Sequence, residues 1–491
     1  MTTNDSNSDD SLSSESNPLV KTKSKIFKKM WPSFLVQNAF AFTFAVLMIN
    51  IIIISTIMFP NEPFRAKEFG LMLGISTWIM GISGVLFGAF ADRFSRKNLL
   101  AIVAFFYGLG YLLNGFVPAG LGMTTYYYFF TCLAVRSFFS GGIFPIVTSY
   151  ANDATEEDER SQYYGAINAS FQIFQIFGSL ISAVVLQNNY WREYFWIVGG
   201  INMVIGLVVY FKALEPKRGA TQNELKEVLQ SNNAEYNYVL TKEMVKKTIM
   251  APTNIIAFIE GIFTTILMSI PDFLLLAYVQ SPPYNFSPLV ITILMLVTGI
   301  PGAILGSLTF AKISDRLGKK NISNRLVLIT ISMVILFGIF LGSFLFPLPY
   351  LSIEQGMQLS ILFQYPILWA FGGMSFLGKV VITVYNMNQP VVLQKINLPE
   401  AQGTVSSANQ LLEMIGSGLG PIIAGVLLTI FNNNYQTTAI ITMSVGMIGA
   451  LFWIIGAKYI KKDVKRISNI LKQRATELEL NKNPNPISEL L

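Results

Sequence analysis

The chain has 491 residues, of which 52% are hydrophobic and only 13% charged, with a formal net charge of +7. A soluble domain carries about 25% charged residues. The composition therefore excludes a soluble globular protein, and Lys and Arg gathering in loops on one side of a bilayer explain the basic balance better than a nucleic-acid partner does. The single cysteine, Cys132, excludes an intrachain disulfide, and the absence of histidine removes the usual proton shuttle and the commonest metal ligand. No cofactor is expected.

Residues 1–32 are rich in Ser, Asn and Asp and then turn basic at Lys21, Lys23, Lys25, Lys28 and Lys29. They read as a disordered N-tail with a juxtamembrane basic cluster and no signal-peptide core. Two sets of six apolar runs follow, each long enough to cross about 30 Å of hydrocarbon. The first set, 33–59, 69–91, 98–118, 124–151, 162–187 and 195–213, forms an N-terminal bundle over 33–213. A polar linker, 214–252, holds two short helical patterns near 222–230 and 241–250. The second set, 253–279, 286–311, 325–347, 359–389, 402–431 and 437–458, forms a C-terminal bundle over 253–458. The remainder, 459–491, alternates Ile460, Val464, Ile467 and Leu471 with basic residues at helical spacing, which reads as an interfacial amphipathic helix ended by Pro484 and Pro486. The fold class is thus an all-α membrane protein of twelve transmembrane helices in two pseudo-symmetric six-helix bundles.

Twelve spans put both termini on one side. Of the 35 Lys and Arg, thirty fall on the side of the termini; Arg65, Lys67 and Arg192 fall on the other; Arg136 and Lys379 lie within spans. The rule that cationic loops stay inside makes the terminal side cytoplasmic. A cell-membrane location and a monomer are expected.

The two halves share a charged hairpin. Gly88-x-x-x-Asp92-Arg93-x-x-Arg96-Lys97 follows the second span, and Asp315-Arg316-x-Gly318-Lys319-Lys320 follows the eighth, 223 residues on from Asp92 to Asp315. Gly88 and Asp92 share one helix face, with Gly88 allowing a neighbouring helix close and Asp92 placed to meet the positive end of a helix entering the membrane. Arg93, Arg96 and Lys97 are expected among the headgroups. This spacing and its second copy resemble the signature between the second and third helices of the major facilitator superfamily, with a departure at Ala311, where that family often has Gly. The resemblance implies two six-helix bundles, rocker-switch alternating access and a central cavity lined by helices 1, 4, 7 and 10. It also implies that Asp92 caps helix 11 and latches the outward-facing state, with Gly88, Arg93, Arg96, Asp315 and Arg316 as parts of the gating elements. Asn168-x-x-x-Gln172 and Asn409-x-x-x-Glu413 are a second, weaker repeat. Arg136-Ser-Phe with Gly142, Trp191-Arg192 and Glu215-Pro-Lys-Arg218-Gly219 resemble the Spinster-like branch, which exports lysophospholipids or sphingoid lipids. Asn50 and Ile143 stand where that branch has acids.

Charges inside the membrane cost at least about 2.5–3.5 kcal/mol each and are functional by default. Arg136, Glu260, Lys379 and Glu413 are deep; Asp272, behind Pro271 near the outer end of its span, reads as interfacial. Arg136 and Lys379 favour an anionic cargo, since a guanidinium can fork carboxylate or phosphate. With Trp369, Asn50 and Gln172 they are the expected substrate-binding residues, and Glu413 and Glu260 are the expected carriers of protons or another coupling ion. Fixed ion pairs between the bundles are the structural alternative. The function expected is secondary transport of a small organic or amphiphilic anion, a lipid-like exporter being one form of it. A non-transporting receptor or scaffold is the alternative class. No reactive constellation and no G-x-x-x-x-G-K-[ST] loop supports an enzyme or an ATP-driven pump.

Overall fold

The computed structural model describes residues 18–155, 157–215 and 250–482. The two helical patterns of the linker, Met250 apart, therefore lie outside the described residues. All regular structure among the described residues is helical, as hydrocarbon demands, since a helix satisfies its own backbone polar groups. Twelve helices there are long and apolar enough to cross a membrane.

The first span is broken twice, into α1 (Pro18–Phe44), α2 (Val46–Ile49) and α3 (Ile51–Met58). Helix starts at Pro18, so residues 18–32 belong to α1 rather than to a separate tail. The second break follows from Asn50, whose amide nitrogen donates to the Val46 carbonyl at 2.9 Å and to Ser182 Oγ at 3.1 Å. The N-terminal bundle continues with α4 (Ala66–Arg93), α5 (Arg96–Asn114), α6 (Met123–Ala154), α7 (Glu157–Gln187) and α8 (Trp191–Lys212). The seventh span is α9 (Pro252–Ile270), a π-helical turn over Pro271–Leu275, and α10 (Leu276–Gln280). Next come α11 (Pro288–Lys320) and α12 (Ser323–Phe344), then the short α13 (Ile353–Gly356) and α14 (Ile361–Gln364). The last are α15 (Ile367–Lys395), α16 (Pro399–Ile430), α17 (Tyr435–Gly446) and α18 (Ile448–Lys482). The amphipathic stretch after residue 459 continues the last span as one helix. Asp463 anchors it, accepting from Thr253 N at 3.1 Å and Thr253 Oγ1 at 2.6 Å, which caps the start of α9.

The bundles meet along α4 and α16, toward the face away from the termini. Trp78 Nε1 donates to the Ile415 carbonyl at 3.1 Å, and Gly70, Gly74 and Gly81 face Pro421, Gly418 and Met414 in turn. Gln280 Nε2 donates across the seam to the Ile49 carbonyl at 2.8 Å, and the Phe64 and Phe273 rings lie 6.0 Å apart. Toward the terminal face the seam parts, and Val85, on the same stripe of α4, is 57% exposed. The molecule is closed on the far side.

Candidate functional site

Between the bundles lies a cavity of about 530 Å³ whose lining includes Arg136, Asp272 and Lys379. A second chamber of about 360 Å³ shares Asp272, Lys379, Gln175 and Met268 with it and runs into the C-terminal bundle. The walls of that second chamber are mostly apolar, with Met295, Phe340, Phe371 and Met374 among them.

Arg136 is positioned by close helix packing. A Cβ on Gly110 of α5 would lie 2.9 Å from Arg136 Cβ and 3.1 Å from the Cys132 carbonyl, so only glycine lets α6 approach this near. The guanidinium carbon stands 4.2 Å from the centroid of the Tyr111 ring, a cation–π contact. That ring is held by α1, its hydroxyl donating to the Thr43 carbonyl at 3.0 Å, while Tyr107 and Thr43 share a 2.5 Å hydroxyl contact. Arg136 is 6% exposed and its buried Nη1 has no hydrogen-bond partner. None of the ion pairs among the described residues involves Arg136, Lys379, Asp272, Glu260 or Glu413.

Asp272 is the residue that sequence reasoning under-rated. Counted from the end of its span it reads as interfacial, but the π turn at Pro271 sets its exposed carboxylate in the cavity, within electrostatic reach of Lys379. Three other expectations change. Asn50 is fully buried, spends its amide nitrogen inside the N-terminal bundle and does not line the cavity. Gln172 is exposed away from the lining, and Gln175, three residues on, takes the place facing both chambers. Trp369 lines neither chamber, because its indole is turned to the Leu362 carbonyl at 2.7 Å; Phe371, Met374, Ser375, Gly378 and Lys379 carry the cavity face of α15.

Glu413 and Glu260 form a separate cluster where α9, α15 and α16 meet. Glu413 Oε1 accepts from Gln389 Nε2 at 2.6 Å and Asn409 Nδ2 at 2.7 Å. Glu260 is wholly buried, accepts from Thr264 Oγ1, and takes the Tyr385 hydroxyl at 3.5 Å.

The hairpins are built differently from one another. Arg96 is 6% exposed, not among headgroups: its Nε donates to Ser149 Oγ at 2.8 Å. Glu215 closes the start of α5, accepting from Arg96 N and Lys97 N at 2.9 Å and Ser95 Oγ at 2.6 Å, which satisfies donors that a helix start leaves open. In the second copy Asp315 pairs with Arg325 at 2.7 Å, and Arg325 reaches Asn388 Oδ1 at 2.9 Å. Arg93 and Arg316 are exposed. At Gly88 an added Cβ would sit 3.7 Å from Pro145 Cβ, an ordinary contact, so the tight crossings of α4 lie elsewhere. The Asp92 side chain lies outside the described residues.

The family model described as the Major Facilitator Superfamily matches residues 33–421. The chain belongs to that superfamily. It is 21% identical over 355 residues to a probable sugar efflux transporter of Helicobacter acinonychis, covering 69% of this chain and 83% of that protein. An uncharacterized transporter of Buchnera aphidicola is 25% identical over 178 residues, 35% of this chain and 42% of that protein. This chain thus spans less than half of the Buchnera protein. Among solved structures, a bacterial homolog of the human lysosomal transporter Spinster, inward-facing and unoccupied, superposes with a TM-score of 0.65 at 14% identity, over 90% of this chain and 98% of that one. A D-xylose–proton symporter superposes with a TM-score of 0.60 at 16% identity, over 87% and 97%. At these identities the likeness is one of fold. The superfamily member is thus an all-α, multi-pass membrane protein of a transporter family.

Proposed function

We propose that this protein is a secondary transporter that carries an amphiphilic organic anion by alternating access, with Arg136 as the anchor for the anionic group. The observation that carries this reading is the buried, unpartnered Nη1 of Arg136 beside the central cavity. Leaving a charged donor buried and unpaired costs several kcal/mol by the usual range, and an anionic cargo removes that cost. The apolar chamber that opens past Asp272 and Lys379 supports an apolar body on the same molecule. A lysophospholipid, the cargo that the Spinster-like resemblance implies, has both parts; a sphingoid base lacks the anion. Lys379 offsets Asp272, so the three cavity charges leave one net positive charge for the cargo.

Glu413 and Glu260, away from any described ion pair, are the coupling site in this reading, with a proton as the coupling ion. The far-side closure supports a state open toward the termini, and the charge tally supports cytoplasmic termini in a cell membrane. The Asp92 latch stands on the hairpin spacing. The test is a thermal-shift panel of purified protein in which octanoate and a short-chain lysophosphatidate are each set against their uncharged alcohol analogues. The anions should raise the melting temperature and the alcohols should not. An equal response to both would remove the anion from the account.

A further inference from the structure

The far face carries a second, larger hollow of about 990 Å³, outside the closed seam. Its walls come from both bundles: the α3–α4 loop and the end of α7 on one side, and the loops after α10, α12 and α16 on the other. Its chemistry is unlike that of the central cavity. No Lys or Arg is among its lining residues, and its one carboxylate, Glu62, already accepts from Arg65 Nε at 2.7 Å. Its uncharged polar wall is tyrosine, amide and small hydroxyl groups, set beside an apolar part that includes Ile52, Phe64, Leu186 and Met357. Tyr278 receives Gln436 Nε2 at 2.9 Å and shares a 2.9 Å hydroxyl contact with Tyr284, whose ring lies 5.9 Å from that of Tyr350. Tyr350 is 76% exposed and lines the hollow.

Two acceptors at this wall are unspent. Gln280 is 6% exposed, and its nitrogen must face the Ile49 carbonyl, which can only accept; its Oε1 is left buried without a donor. Gln187 Oε1 is likewise buried without a partner. Such groups call for donors. Glu62 is held by Arg65, which also reaches Glu68 at 3.5 Å outside the lining, so the hollow presents no carboxylate without a partner and its free acceptors suit hydroxyl groups. Aromatic faces and amides around the hollow suit a molecule with apolar C–H faces and many hydroxyls.

We propose that this vestibule is a second ligand site, for a neutral polyhydroxylated molecule, distinct from the anion site at Arg136 and built from none of its residues. Because its walls belong to both bundles, a ligand spanning them binds the far-side-closed state and opposes opening. Gln280 joins the two roles, since the same side chain bonds the seam and faces the vestibule.

The test uses the full chain in nanodiscs free of maltoside detergent, with maltose, choline and octanoate as probes. Titration calorimetry should show maltose binding to the wild type, at least fivefold weaker binding to Tyr350→Ala, and unchanged binding to Arg136→Gln. Tyr350 is exposed, so its truncation leaves the fold intact, and Gln280→Leu should weaken maltose as well. In a Cys132→Ser, Thr56→Cys background, maltose should slow labelling of Cys at position 56 by a maleimide added from the far side. Absence of maltose binding to the wild type overturns the proposal. So does binding of choline in preference to maltose, which would make this a cation site. Loss of maltose binding in Arg136→Gln but not in Tyr350→Ala would also overturn it, by placing the sugar in the central cavity.

Discussion

Replacing Gly74 with leucine should force the far side of the seam open. An added Cβ there would lie 2.5 Å from Ile422 Cγ1 and 2.6 Å from its Cδ1, and nearer still to the Gly418 carbonyl oxygen, which is backbone and cannot turn aside. The clash is between bundles, so each bundle keeps its own packing while the closed arrangement of the two loses stability. Overpacking of this kind costs about 1–3 kcal/mol, and at about 1.4 kcal/mol per factor of ten the closed-to-open ratio should fall roughly 5- to 150-fold. Ser417 lines the central cavity behind this closure. In a Cys132→Ser, Ser417→Cys background, an impermeant maleimide applied to the far face should label slowly without the wedge and faster by a factor in that range with Gly74→Leu. Gly200 has open space around it, so Gly200→Leu is the control that should leave labelling unchanged. A folded Gly74→Leu protein that labels no faster than its parent would refute the assignment of this crossing as the gate.

Three further outcomes follow from the account. Glu413→Gln should abolish the pH dependence of uptake while leaving cargo binding within a fewfold of wild type; an unchanged pH profile would take the coupling role from this cluster. Asp92→Asn should cut turnover severely with expression and binding retained, and wild-type turnover would remove the latch. Epitope tags at both termini should be accessible from the cytoplasmic side alone, and detection of either from outside intact cells would reverse the topology.

The spans were legible because hydrocarbon leaves a chain few options, and twelve apolar runs have one backbone solution. The breaks within them were not. Asn50 was expected at the cavity because it stands where the Spinster-like branch has an acid, yet its amide nitrogen is taken by Val46 and Ser182, a local contact that hydropathy does not register. Asp272 looked interfacial because its depth was counted along a straight helix, and the π turn at Pro271 changes which way that segment faces. Pro271 beside an acid was the available signal. Glu215 closes the start of a helix 119 residues earlier in the chain, a pairing that no periodicity encodes. Arg136 was found from its charge, since a cation at mid-depth needs a reason, and from its place in the Spinster-like motif; the Tyr111 and Gly110 that hold it come from α5 and appear only with packing.

The most direct test of the central claim is the affinity of Arg136→Gln for the anionic amphiphile that best stabilises the wild type, with the melting temperature of the unliganded variant recorded beside it. A charge-assisted hydrogen bond contributes about 1.5–3 kcal/mol. Arg136→Gln should therefore bind roughly 10- to 150-fold more weakly. Arg136→Lys should fall between the two because it keeps the charge and loses the fork. The unliganded melting temperature should hold or rise, since a buried donor without a partner has been removed. Wild-type affinity in Arg136→Gln, or a large drop in its melting temperature with affinity intact, would contradict the account and make Arg136 a structural charge.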